Sequence, residues 1–338
     1  FVSILAWLGF SWTEAAAARV VREVDVNRSG RLSEREFLCC LRKVRERELE
    51  KIKLALAGQD LEKEGSIPLN SLEDIFRRLG YSPDLEALEE AVLDAEISAS
   101  SGGSLSLGDL WEILTVYRSR EGFNSVDERE IRKAFEQCDT GRTGFVTATD
   151  VGRILRRIGD PKTFDVRQDL MSKIDLSGTG RLDFPEVRKL VRMCRDREQQ
   201  TVRKAFTAQD VDNTGFIPKD SVIELLDGLR IVESVDFPAR QVLLEMIPEE
   251  QLDLSDFMFV SSCLFKASKQ SVRDNGGFST RELCDLKAQF QWCDRDGSGE
   301  IQTSELRRLL DRLFPEFSRS ATRRPELEKI LQEADENG

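Results

Sequence analysis

Three segments of the chain space oxygen-bearing side chains in the way a hard divalent cation needs. They are DVNRSGRLSERE from Asp25, DLSGTGRLDFPE from Asp175 and DRDGSGEIQTSE from Asp294. In each, the first, third and fifth positions carry a side-chain oxygen, the sixth is glycine and the twelfth is glutamate. Calcium takes about six to eight oxygen ligands at about 2.3–2.6 Å, and a loop of this length can supply most of that shell from one stretch of chain. The glycine allows a sharp bend that a residue with a Cβ resists. In the first loop Asp25, Asn27, Ser29 and Glu36 would ligate through side chains and Arg31 through its carbonyl. In the second the side chains are Asp175, Ser177, Thr179 and Glu186, with the Arg181 carbonyl. The third offers Asp294, Asp296, Ser298 and Glu305, with the Glu300 carbonyl.

This ligand order resembles the EF-hand superfamily of calcium-binding proteins, in its calmodulin-like tandem form. The resemblance implies an all-α fold of tandem helix-loop-helix pairs, with a short two-stranded β ribbon joining the paired loops. It implies Ca2+ as the bound ion, with Mg2+ in competition. Five weaker loops then emerge. DLEKEGSIPLNS from Asp60 and DVDNTGFIPKDS from Asp210 end on serine, and DTGRTGFVTATD from Asp139 ends on aspartate. SASSGGSLSLGD from Ser98 and EMIPEEQLDLSD from Glu245 lack most ligands. All eight keep an aliphatic eighth residue: Leu32, Ile67, Leu105, Val146, Leu182, Ile217, Leu252 and Ile301. The loop shape is therefore expected to persist where binding is lost. Serine cannot supply a bidentate carboxylate, so the Asp60 and Asp210 loops read as structural.

Flanking residues recur at helical spacing, as in Val187, Leu190, Val191 and Cys194 after one loop. A longer repeat of 150 residues relates Asp25 to Asp175 and Asp60 to Asp210, and carries Arg47-Glu48 onto Arg197-Glu198. A duplicated four-hand unit follows. The expected organisation is a trailing half-pair over 1–48 with its loop at 25–36, and a degenerate pair over 49–122 with loops 60–71 and 98–109. A pair over 123–198 with loops 139–150 and 175–186 comes next, then a degenerate pair over 199–268 with loops 210–221 and 245–256. A polar linker over 269–278 leads to a last pair over 279–338, with loop 294–305 and the start of another at Asp335. The chain reads as a window on a longer protein.

Composition narrows the function. A net charge of −12 argues against nucleic acid, whose phosphates demand a basic face. The chain has no histidine, which removes imidazole bases and the usual nitrogen-liganded zinc sites. Phosphate-binding and nucleophile-elbow motifs are missing, so no enzyme is expected in this window. The apolar opening FVSILAWLGF is about half the length of a membrane span. Seven cysteines without a CxxC motif read as free thiols in a reducing, cytoplasmic setting.

Charge count orders the three full loops by affinity as Asp294, then Asp175, then Asp25. Expected partners are a protein target, or another part of the parent polypeptide, presenting an amphipathic helix. A calcium-responsive regulatory module is the leading expectation. A largely structural scaffold with few cation sites, and a regulatory segment of an enzyme whose catalytic domain lies outside the window, are the alternatives. Only four methionines argues against a Met-rich groove of the broadly adaptable kind.

Overall fold

The structure, a computed structural model, describes residues 1–10, 12–57, 67–68, 71–81, 83–97, 104–175, 178–229, 250–294, 297 and 299. Thirteen helices and three two-stranded antiparallel ribbons occur among them. The ribbons pair the eighth residues of neighbouring loops. Ile67 of β1 (Ile67–Pro68) faces Leu105 of β2 (Ser104–Leu105), and Val146 of β3 (Val146–Thr147) faces Leu182 of β4 (Arg181–Leu182). Ile217 of β5 (Phe216–Pro218) faces Leu252 of β6 (Gln251–Asp253). The aliphatic residues stay because they form the seam beneath each pair: Leu105, Val146, Leu182, Ile217 and Leu252 are all buried.

In the first part of the chain α1 (Val2–Trp7) and α2 (Glu14–Val24) precede the Asp25 loop, and α3 (Glu34–Ala57) leaves it. Phe1 and Phe37 meet edge to face with ring centroids 6.2 Å apart. The pair carrying β1 and β2 contains α4 (Leu72–Arg78), α5 (Leu85–Asp94) and α6 (Leu107–Ser119). The pair carrying β3 and β4 contains α7 (Ser125–Cys138), α8 (Ala148–Arg157), α9 (Phe164–Ile174) and the start of α10 (Phe184–Gln209). Around β5 and β6 lie the end of α10, α11 (Lys219–Gly228) and α12 (Leu254–Asp274), and α13 (Thr280–Cys293) follows.

Each pair closes on its own core because each helix is apolar on one stripe only. Thus α8 buries Val151, Ile154 and Leu155 against Ile131, Phe135, Leu170 and Leu190. A second cluster gathers Ile52, Phe76, Leu110, Ile113 and Tyr117, and a third gathers Val202, Phe206, Ile217, Phe257 and Leu264. Fully burying one such side chain contributes about 1.5–3 kcal/mol.

The 150-residue repeat is visible as architecture. The helices α3 and α10 are the two long ones that run out of one loop and on towards the next, with 24 and 26 residues. Each carries a glutamate near its middle where neighbouring pairs meet. Glu48 accepts from Trp12 Nε1 at 2.7 Å and Lys51 Nζ at 2.9 Å, and is also paired with Arg118 of α6. Glu198 accepts from Lys162 Nζ at 2.6 Å and from Lys269 Nζ of α12 at 3.0 Å. Asp160 joins the second cluster through Lys162 and, at 3.7 Å, Lys269. Trp12 and Lys162 both lie in the short connection ahead of a loop's entering helix, so each connection is clamped between a long helix and the last helix of the next pair. The sequence does not disclose this docking.

Residues 269–278, expected as a polar linker, instead continue α12 to Asp274, and Val272 is buried. Lys269 ties this part of the helix to Glu198 and Asp160. The helix ends where Gly276 and Gly277 adopt φ of +68° and +91° and return hydrogen bonds to Arg273 and Val272. Cys40, Cys194 and Cys293 are buried, Cys138 and Cys263 half-buried, Cys39 and Cys284 exposed, and all seven are free. No helix among the described residues is long and apolar enough to cross a membrane.

Candidate metal centres

The first aspartate of a loop folds the loop before any cation is considered. Asp25 Oδ1 accepts from Ser29 N at 3.0 Å and Oδ2 from Gly30 N at 2.9 Å. The same two bonds recur from Asp175 to Thr179 N and Gly180 N, at 3.1 and 2.6 Å. Asp139 and Asp210 repeat them in the weakened loops, and Asp294 accepts from Gly299 N at 2.9 Å. The clamp is therefore a device of loop shape and is indifferent to whether the remaining ligands survive. Backbone donation to Asp139, chiefly from Thr143, holds its carboxyl below the ordinary range; at Asp210 the same bonds outweigh burial.

The clamp also gathers oxygens. Ser29 Oγ lies 3.4 Å from Asp25 Oδ1 and 2.9 Å from the Arg31 carbonyl, and Asn27 Oδ1 accepts from the same Ser29 N at 2.9 Å. Neighbouring ligands around one calcium ion stand about 2.8–3.4 Å apart for bonds of about 2.4 Å. Positions one, five and seven are thus set at ligand spacing, and Thr179 Oγ to the Arg181 carbonyl at 3.2 Å repeats this in the second loop. The all-oxygen donor set fits calcium or magnesium and not a soft metal.

The glutamate at position twelve does a different task. Glu36 Oε2 accepts from Ser33 N at 2.8 Å and Ser33 Oγ at 2.7 Å, and Glu186 Oε2 accepts from Asp183 N at 3.0 Å. These are capping-box bonds at the start of α3 and α10. They explain a puzzle in the weak loops, where Asp109, Asp150 and Asp256 persist at position twelve. Each closes the same box, on Ser106, Thr147 and Asp253. Aspartate is long enough to cap a helix, whereas the bidentate ligand of an EF-hand loop is glutamate. Asp183 is the N-cap of α10, its Oδ1 accepting from Glu186 N at 2.8 Å.

The two full loops differ electrostatically at this position. The Ser33 backbone and hydroxyl bonds hold Glu36 below the usual carboxylate range. Burial, then repulsion from Asp183 and Asp175, pushes Glu186 above it despite the Asp183 backbone bond. Negative charge thus crowds the Asp175 loop.

Position four carries a constraint that ligand counting missed. Its φ is positive in all five described loops: +66° at Gly178, +68° at Gly297, and +54°, +50° and +55° at Arg28, Arg142 and Asn213. Glycine adopts this region freely, and arginine pays roughly 1–2 kcal/mol. Gly178 and Gly297 stand in plain sight as the signal. Ser177, Asp296, Ser298, Glu300 and Glu305, the first parts of the loops at Asp60, Ser98 and Glu245, and all of the loop start at Asp335 lie outside the described residues. Among the described residues no three His, Cys, Asp or Glu side chains are drawn together tightly enough to hold a metal by themselves.

Comparison with known proteins agrees with this geometry. Residues 128–192 match a family model described as an EF-hand domain pair, and residues 286–310 one described as an EF hand. Troponin C, isoform 3, of Drosophila melanogaster is 29% identical over 132 residues, spanning 39% of this chain and 83% of that protein. Calcium-binding protein 4 of Mus musculus is 28% identical over 141 residues, 41% of this chain and 51% of that protein. A putative calmodulin-like protein 6 of Oryza sativa subsp. japonica is 24% identical over 148 residues, 43% of this chain and 84% of that one.

Proposed function

The chain belongs to the EF-hand calcium-binding superfamily, and from that premise we propose that it is a calcium-responsive, protein-binding module in which three loops hold the ion and the others keep the frame. The ligands are Asp25, Asn27, Ser29, Arg31 and Glu36; Asp175, Ser177, Thr179, Arg181 and Glu186; and Asp294, Asp296, Ser298, Glu300 and Glu305. Its target is a protein segment with an amphipathic face, in this polypeptide or another.

One observation carries the reading. The Asp25 and Asp175 loops sit at the N-terminal ends of α3 and α10, and those helices run on towards a weakened hand. To hold a calcium ion Glu36 or Glu186 would have to exchange its capping bonds for the ion, and the first turn of the long helix would move with it. A rigid helix carries that movement to the next pair.

The test is a distance measurement between dyes on α8 and α11 during calcium addition, repeated on Glu186→Gln. Glutamine keeps a capping side chain and loses the bidentate charge. A calcium-dependent change in the parent chain that disappears in the variant supports the module. No change in either supports the second reading, a static scaffold, which the complete Asp clamps of the Asp139 and Asp210 loops favour.

A further inference from the structure

Two grooves between the pairs meet at one arginine. Arg203 of α10 lines a cavity of about 550 Å³ walled by Trp12, Tyr81 and Met193, and also one of about 440 Å³ walled by Leu254, Met258 and Phe259. Most cations around these cavities are neutralised. Lys173 and Arg197 pair with Asp169, Arg192 with Glu121, Arg77 with Glu73 and Lys266 with Asp84.

Three guanidinium groups are the exception. Among the described residues none of Arg203, Arg195 and Arg78 has a carboxylate within ion-pair distance. Arg195 donates to the carbonyls of Glu121 and Gly122 at 2.7 and 2.8 Å and lies over the Phe123 ring. Arg78 reaches only the Ala55 carbonyl, at 3.4 Å. Arg203 is half-buried, and burial without compensation depresses its pKa. Arg195 lines the first cavity, Arg78 the second and Arg203 both. In a chain of net charge −12, three guanidinium groups without a carboxylate partner around two cavities that share Arg203 stand out, and for the half-buried Arg203 a charge without a partner is costly.

We propose that this groove binds an acidic peptide segment interleaved with apolar side chains. Its carboxylates pair with Arg195, Arg203 and Arg78, and its apolar groups rest on Trp12, Tyr81, Met258 and Phe259. Phe259 is 50% exposed, a large apolar surface left open beside these cations. Several features select this occupant. Arg195 and Arg203 stand eight residues apart on α10, about 12 Å of helix, which no single small anion bridges. A basic amphipathic helix would set cation against cation. Guanidinium favours the planar, two-point pairing that carboxylates offer.

The test uses the full chain in a calcium chelator, so its outcome is separate from occupancy of the loops. Fluorescence anisotropy is read for a labelled peptide of alternating glutamate and leucine, and for its lysine-leucine counterpart. The glutamate peptide is expected to bind and the lysine peptide not. Arg203→Gln is expected to weaken binding at least about tenfold, Arg203→Lys to weaken it less, and Arg142→Gln, on an exposed loop, to leave it unchanged. Melting temperatures of the variants confirm that each is folded. Tripolyphosphate at equal charge is expected to displace the peptide poorly. Absence of binding, preference for the lysine peptide, unchanged affinity in Arg203→Gln, or full displacement by tripolyphosphate overturns the proposal.

Discussion

Glu48 and Glu198 stand 150 residues apart and hold the same place in the fold, each the ionic pivot in the middle of a long helix. Glu48 is gripped by Arg118, Lys51 and Trp12, and Glu198 by Lys162 and Lys269. The partners have changed from one unit to the next while the glutamate and its role persist. Such a joint explains how hands that have lost their ligands still contribute: they provide the surfaces on which a pivot is mounted.

The joints make stability depend on pH in a stated direction. Burial pushes the Glu48 carboxyl up, but Arg118 and Lys51 outweigh it and leave the pKa lowered. Asp160 is lowered in the same way by Lys269 and Lys162 against its burial. A carboxylate with a depressed folded pKa stabilises above its unfolded value, about 4, and loses that contribution as pH falls through the folded value. Lys269 is raised by Asp160 and Glu198 against burial, so its contribution is complete below about 10.4 and is lost above. Melting temperature should therefore hold steady between about pH 5 and 9 and drop at either end. Glu48→Gln leaves Arg118 without its counter-ion and should cost about 3 kcal/mol at neutral pH. Denaturant unfolding at several pH values reads both effects, and an unchanged neutral stability in the variant contradicts the joint.

Backbone approach at the second joint is tighter than at the first. Gly159 has φ of +81°, and a Cβ there would lie 2.1 Å from the Lys269 carbonyl. Gly9 has φ of +82°, but a Cβ there would come no closer than 3.9 Å to Arg118. Both alanine variants carry the φ penalty of roughly 1–2 kcal/mol, and Gly159→Ala should lose more because the α12 backbone itself must shift. Parallel melts of the two variants check the order, with equal losses counting against the docking.

Arg28 sits at φ +54° where the corresponding residues of the other two full loops, Gly178 and Gly297, are glycines. Arg28→Gly should therefore relieve strain and stabilise the folded chain by about 0.5–1 kcal/mol after the entropy of glycine is counted. Gly178→Arg should destabilise it. Denaturant unfolding of each variant without calcium measures the shift. A lower stability of Arg28→Gly contradicts the strain at position four.

Pairing of loops was legible because the ribbon depends on a local pattern: an aliphatic residue at position eight, as in Val146 against Leu182. Helices were legible from periodicity, as in Val187, Leu190, Val191 and Cys194, of which Val187, Leu190 and Cys194 are almost fully buried. The joints were not. Arg47-Glu48 and Arg197-Glu198 are visible as a repeat, but a glutamate in a charged helix has the same pattern as a solvated face. Only the fold brings Arg118, seventy residues on, to Glu48. The capping role of Asp109, Asp150 and Asp256 was hidden for a related reason, since position twelve serves both helix and cation and residue type alone shows one demand. Arg195, Arg203 and Arg78 likewise become notable only when every neighbouring cation is seen to be paired.

The central claim, three cation sites within a frame of silent hands, is tested most directly by isothermal calorimetry of calcium binding to the whole chain. The account predicts a stoichiometry near three, falling by one in each of Glu36→Gln, Glu186→Gln and Glu305→Gln, with the Asp294 loop tightest and the Asp25 loop weakest. A stoichiometry near eight, or no binding at all, contradicts it.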